Sequence, residues 1–225
     1  MTTTQSAPPA ATHSSAPQSL GAIVVLFTRQ SWAGLRVLLG LTLLLGVIYP
    51  LVVTGIGQVA LPWQANGSLL TSTGAHANSP TDAKVIGSAL IGQAFTGPQW
   101  FQPRPSGAGD GYDTLASAGS NLGPNSPDLL KQVTERRQQV AADNGVDPSA
   151  VPPDALTASA SGLDPDISPA NAKLQTARVA AARGLPVDKV TAAVADATTG
   201  RAVGLLGEPR VNVLRLNLAL ETMTS

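Results

Sequence analysis

The sequence predicts a single N-terminal transmembrane helix followed by one α/β (α+β) extracytoplasmic domain with long ordered loops. Three observations lead there. Val37 to Ile56, VLLGLTLLLGVIYPLVVTGI, runs for 20 residues without a charge. Every one of the chain's 14 Asp and Glu residues comes after that run. Leu61 to Ser225 is one domain's worth of polar, foldable chain. The expected organisation is a disordered cytoplasmic tail over 1–30, an anchor helix over 31–60 and an outer domain over 61–225.

The tail carries Thr, Ser, Ala, Pro and Gln and, up to Ser19, no charged side chain or aromatic ring. Such a segment cannot bury enough apolar surface to offset its ordering entropy. Leu20 to Phe27 (LGAIVVLF) is apolar but too short to cross a membrane, and either lies at its surface or lengthens the anchor. The run from Val37 to Ile56 matches the roughly 30 Å hydrocarbon core at about 1.5 Å of rise per residue. Pro50 inside it removes one N–H and should kink the helix near Val47 to Tyr49. Gly40 and Gly46 leave flat spots for a neighbouring helix. Arg29 and Arg36 precede the span, and no Lys or Arg follows until Lys84. The positive-inside rule then puts the N-terminus in the cytoplasm and the outer domain across the membrane. A cleaved signal peptide has a shorter apolar region, so an uncleaved anchor is the better reading.

In the outer domain, Trp63 is expected at the membrane interface, and Leu61 to Ala83 reads as a loop holding an isolated His76. Lys84 to Phe95 reads as a bulged strand or two short strands. Trp100 to Ser106 (WFQPRPS) is extended by its prolines and presents Arg104. A Gly-, Asn- and Ser-rich loop follows. Ser126-Pro127-Asp128 starts a helix that stops at Gly145, with Leu129, Val133 and Val140 on its apolar stripe and Arg136 and Arg137 on its wet face. Asp147 to Pro169 carries five prolines and the segment TASASGLDPDISP. Its Asp164 and Asp166 could hold a cation, and the helix start at Ser168-Pro169 could receive an anion; alternatively these residues only tie and cap the loop. Asn171 to Arg183 is a helix ending at Gly184, and Pro186 opens another with Val187, Val190 and Val194 on one face. VNVLRLNLAL spaces its leucines at period two and reads as a strand, with a terminal helix as the alternative.

Several chemistries are excluded or left without a motif. The chain has no Cys, so no disulfide, thiol nucleophile or Cys-bound metal is possible. Formal charge is balanced at 14 basic against 14 acidic residues, without a basic stripe interleaved with aromatics, which argues against nucleic acid. No GxxxxGK[ST], GxSxG or HExxH motif is present, nor the Asp-Lys-Thr-Gly segment of an ion pump. The residues alone read as a binding or assembly subunit, with no catalytic residue and no metal site. The rival from another class is a tethered extracytoplasmic hydrolase or sugar-binding protein.

GSALIGQAF, WFQPRPS, SNLGPNSPDLL, TASASGLDPDISP, QTARVAAARG and GRAVGLLGEPRVNVLRLNLAL, in this order after one span, closely resemble the C subunit of the Kdp potassium-transporting ATPase. The resemblance covers about Arg36 to Leu220. It implies a membrane-anchored, non-catalytic subunit of a bacterial high-affinity potassium pump, described for the family as a catalytic chaperone that raises the ATP affinity of the pumping subunit. The partners it implies are a channel-like potassium-binding subunit, a P-type ATPase subunit, a small peptide subunit and the lipid bilayer. No cofactor of its own is implied; ATP and potassium belong to the complex. The family's loop residues map onto Arg104, Ser106, Ser120, Asn121, Ser161, Asp164, Arg178, Arg183, Glu208, Arg210 and Asn212. Departures are Ala118 and Ala160, where the family commonly has glycine, Asp166, where histidine is common, and a longer loop over 71–82. If the backbone at those alanines needs positive φ, alanine costs stability.

Overall fold

The computed structural model describes residues 19–77, 79–82 and 84–224. The tail over 1–18, with His13, lies outside the described residues. Contacts divide the chain into two units, Met1–Ile56 and Gly57–Ser225.

Among its described residues the first unit is helical beyond Ser19. Ser19 caps α1 (Leu20–Leu43), which passes through a π-helical turn at Leu44–Ile48 into α2 (Tyr49–Ala60). The helix spans 41 residues from Leu20 to Ala60, about 60 Å at the α-helical rise and so twice a hydrocarbon core. Leu20 to Phe27 therefore extends the anchor, and residues 20–30 are helix rather than disordered tail. Val37, Gly40, Gly46, Pro50 and Ile56 all lie within this helix, none of whose residues is buried. The π turn lies just ahead of Pro50: the Tyr49 N–H donates to the Leu44 carbonyl, five residues back. Widening the helix by one residue at this point absorbs the missing proline N–H inside the helix, at the place where the kink was expected.

The second unit mixes short helices with two small antiparallel sheets. A short helix α3 (Pro62–Ala65) leads into β1 (Leu69–Thr71), which pairs with β2 (Val85–Ser88) through a bulge between Leu70 and Thr71. The segment read as a plain loop thus holds a helical turn and a strand. Trp63 is packed within the unit, its indole N–H donating to the Leu69 carbonyl at 2.7 Å. His76 stacks on it at 3.8 Å with 9° between the planes. His76 is therefore not the isolated group that the sequence suggested.

Residues 89–126 contain no helix or strand. Helix α4 (Pro127–Asn144) starts at the Ser126 cap and ends at Gly145 in the left-handed region. Two 3₁₀ turns, Pro148–Ala150 and Pro153–Ala155, carry the proline-rich segment to β3 (Asp166–Ile167). Helices α5 (Pro169–Arg183) and α6 (Val187–Asp196) follow, then β4 (Thr198–Thr199), β5 (Arg210–Asn212) and α7 (Val213–Thr224). The second sheet has the order β3-β5-β4.

The C-terminal run is a helix, not the expected strand. Asn212 caps it, its Oδ1 accepting from the Arg215 N–H at 3.1 Å. The alternating leucines face two different cores. Val213, Leu216 and Leu220 enter the cluster built by α5, α6 and Phe101. Leu214 and Leu218 enter the cluster with Leu70 and Ala89. A helix between two apolar clusters needs hydrophobes on both sides, and two stripes of i, i+4 spacing interleave into an apparent period of two. A third cluster joins Ala141, Val151, Ala155 and Leu156 under α4.

Candidate functional site

The proline-flanked Arg104 does not project into solvent. Its Nη1 donates to Asp164 Oδ2 at 2.8 Å, and the two side chains are only 24% and 29% exposed. Ser106, two residues on, is a node between loops. Its hydroxyl donates to the Gly162 carbonyl at 2.7 Å and accepts from the backbone N–H groups of Tyr112 at 2.8 Å and Ala108 at 3.1 Å. Tyr112 closes the circuit by donating its hydroxyl to the Arg104 carbonyl. Burial, with the Asp164 carboxylate adding to it, pushes the Tyr112 phenol well above its ordinary value, so the phenol remains a donor. Gly162 has φ of +67°, and a Cβ there would fall 2.6 Å from both the Ala108 nitrogen and the Ala118 oxygen. Only glycine permits this approach. Ser161 is exposed, its Oγ accepting from the Leu163 N–H at 3.1 Å and its carbonyl accepting from the Ser117 hydroxyl at 3.0 Å.

The two acids of the Leu163 to Ile167 segment each take an arginine. Asp164 Oδ1 accepts from the Asp166 N–H at 3.0 Å while Oδ2 holds Arg104. Asp166 Oδ2 holds Arg210 Nε at 2.9 Å, and Oδ1 accepts from Asn212 Nδ2 at 3.1 Å. Asn212 also donates to the Ala89 carbonyl at 2.9 Å, tying β5 to the loop after β2. Burial raises the Asp166 carboxyl above its usual range despite Asn212 and Arg210. At this position the desolvation cost outweighs the ion pair. The paired acids thus tie and cap the loop. The helix start at Ser168 is likewise already served: Asp154 accepts from the Ser168 N–H and hydroxyl at 2.8 Å each, and from Asn171 Nδ2 at 3.1 Å. The internal Asp154 carboxylate occupies the place of the anion suggested for that helix end.

Arg178 and Arg183 act on a different segment. Arg178 Nη1 donates to the carbonyls of Pro98 and Trp100, Nη2 to Gln175 Oε1 at 2.7 Å, and Nε to Asn144 Oδ1 at 2.9 Å. Burial lowers its pKa. A cavity of about 420 Å³ lies beside it, lined by Gly97, Gln102, Asn144, Asn171 and Gln175. Arg183 Nε donates to the Gln99 carbonyl at 2.7 Å, its guanidinium lies 4.5 Å from the Trp100 ring centroid, and Nη1 meets Glu221 at 3.4 Å.

The mapped loop residues therefore form three groups. Arg104, Ser106, Ser161 and Asp164 belong to one; Arg210 and Asn212, with Asp166, adjoin it through Pro165; Arg178 and Arg183 hold the 97–102 segment. Ser120 and Asn121 are exposed and outside all three, Asn121 with φ of 52°. Glu208 is 78% exposed and pairs with Arg201 at 2.8 Å. Neither Ala118 nor Ala160 has positive φ, so alanine costs nothing there on that account. Arg136, read as wet, is half-buried and donates to the Leu156 carbonyl at 3.1 Å.

Sequence reasoning missed two amides that fix the site's framework. Asn217 receives the Phe101 N–H at 2.9 Å and donates to the Phe101 carbonyl at 3.0 Å. Gln175 treats Gln102 in the same way, at 2.7 and 3.0 Å. The available signal was an Asn inside LRLNLAL, a polar residue among helix leucines.

The family model described as K+-transporting ATPase, c chain, matches residues 31–222. A potassium-transporting ATPase KdpC subunit from Kineococcus radiotolerans is 57% identical over 194 residues, covering 86% of this chain and 94% of the relative. The namesake from Beijerinckia indica is 54% identical, covering 80% and 87%. That from Mycobacterium bovis is 50% identical, covering 87% and 99%. The one long apolar helix is consistent with a membrane protein. The chain belongs to the KdpC family, the c chain of the K+-transporting ATPase.

Proposed function

We propose that the chain is a non-catalytic accessory subunit of the potassium-transporting ATPase, needed for assembly of the complex. Its anchor helix crosses the bacterial inner membrane with the N-terminus in the cytoplasm and the folded unit outside. The observation that carries this reading is that the site's charged residues are spent on the chain's own loops. Arg104, Arg178, Arg183 and Arg210 are each held by carboxylates or carbonyls of the same chain. That pattern builds a rigid surface rather than an acid–base pair.

The topology follows from Arg29 and Arg36, which precede the apolar run on the same helix. Arg36 also lies over the Trp32 ring at 5.2 Å, an arrangement suited to a headgroup layer. From outside, the folded unit cannot touch ATP. A raised ATP affinity of the P-type subunit, the chaperone role, would then be transmitted through the helix; the alternative is that the folded unit chiefly serves potassium entry, capping the channel-like subunit near its entrance. The absence of native cysteines makes the test clean. Ser161→Cys at an exposed loop position should be labelled by a membrane-impermeant maleimide in intact cells. Labelling only after lysis would reverse the topology and make direct nucleotide contact by the Ser161 to Asp164 loop the leading reading.

A further inference from the structure

Strands β4 and β5 are joined by residues 200–209, and three bulky aliphatic side chains there are left largely exposed. Val203 is 87% exposed, Leu205 81% and Leu206 66%. The turn that carries them is nonetheless well defined. The Ala202 N–H donates to the Leu206 carbonyl at 2.8 Å, and the Leu206 and Leu205 N–H groups donate back to the Ala202 carbonyl at 3.0 and 3.1 Å. At its base Arg201 pairs with Glu208 at 2.8 Å. Val203 has φ of 47°, a conformation that a β-branched residue adopts only under constraint.

We propose that residues 202–206 form a preshaped apolar finger that seats in a hydrophobic cleft on a partner subunit of the same pump. This rests on the subunit reading above. Exposed aliphatic side chains side by side mark either a protein contact or a membrane contact. Two features favour protein. A bilayer accepts any apolar shape, so it gives no reason to hold Val203 in a strained turn, whereas a shaped cleft rewards a tip that is already in its bound form. Membrane-inserting segments also combine aromatic rings with free basic residues. This tip has no aromatic residue, and its one arginine, Arg201, is neutralised by Glu208. The finger would supply an aliphatic anchor of the kind that dominates binding when it fills a pocket.

The test uses the full chain co-expressed with the other pump subunits in membranes. A photo-cross-linking amino acid replaces Leu205, and the same probe at Leu130, a lone exposed leucine on α4, is the control. The expected result is a light-dependent adduct with a larger pump subunit from position 205, at several times the control yield. In parallel, the double variant Leu205→Asp, Leu206→Asp should lower recovery of the partner subunits by about tenfold or more while leaving the thermal melt of the purified chain unchanged. Lipid adducts alone, or no adduct above control while the complex still co-purifies, would overturn the finger and leave the subunit reading intact. A double variant that recovers its partners at the wild-type level would do the same. A wild-type chain recovered without any pump subunit would overturn the subunit reading, and the finger with it.

Discussion

Two stretches without regular structure behave in opposite ways. Residues 97–108 contain three prolines and a run of polar side chains, yet Phe101 and Ala108 are completely buried. Residues 200–207 are mostly small or aliphatic, yet Val203, Leu205 and Leu206 face solvent. Apolar content does not decide the outcome. The first stretch is pinned because Asn217, Gln175, Arg178 and Arg183 satisfy its backbone groups from α5 and α7. Once those groups have partners, an extended backbone can be buried without orphaning its N–H and carbonyl groups. The second stretch satisfies its own backbone within a short turn and offers its side chains outward. One loop serves the fold; the other is free to serve a partner.

The sharpest way to break the contrast is Asn217→Ala. It orphans both the N–H and the carbonyl of the fully buried Phe101, and should cost about 3 kcal/mol of unfolding free energy. Thermal or denaturant melts of the solubilised chain would check this, and a loss below about 1 kcal/mol would mean that the stretch is held by packing alone. Arg178→Ala comes next at about 2 kcal/mol, because it unpairs the carbonyls of Pro98 and Trp100 while leaving the core in place. Limited proteolysis should then cut within 97–102 in the variant and not in the wild-type chain.

At the other loop the sign reverses. Val203→Gly removes a β-branched side chain from positive φ and should stabilise by about 1 kcal/mol. A destabilisation of similar size would show that the turn needs the Val203 side chain. The smallest effect is expected at Asp166→Asn. Its carboxyl is raised by burial in the folded state. Its contribution to stability is therefore fully present below the ordinary carboxylate pKa and is lost as pH rises through the raised folded value. The variant does not titrate there, so its melting temperature should match wild type in acid and gain slightly on it towards neutrality. A gap that widens the other way would show the Arg210 pair to be net favourable.

The helical signals of this chain were legible because they are local. The caps at Ser126 and Ser168, the left-handed stops at Gly145 and Gly184, and the prolines at first helical positions act within one turn. The C-terminal helix was hidden for the converse reason. Its leucine spacing records two separate cores, and nothing nearby in sequence shows that Leu70 and Phe101 lie on either side of it. The candidate residues were also visible as types but not as roles. Arg104 and Asp164 are 60 positions apart, Arg178 and Trp100 78, and Asn217 and Phe101 116.

By itself the sequence determined the uncharged run with its flanking arginines, the starts and stops of the helices, and the motifs that mark the family. These depend on hydropathy and on backbone groups within a few residues of one another. Only the tertiary structure decided which carboxylate meets which arginine, that Asp154 occupies the Ser168 helix start, and that Val203, Leu205 and Leu206 are left uncovered. Those outcomes depend on chain closure over tens of residues, where burial and geometry, not residue type, choose the partner.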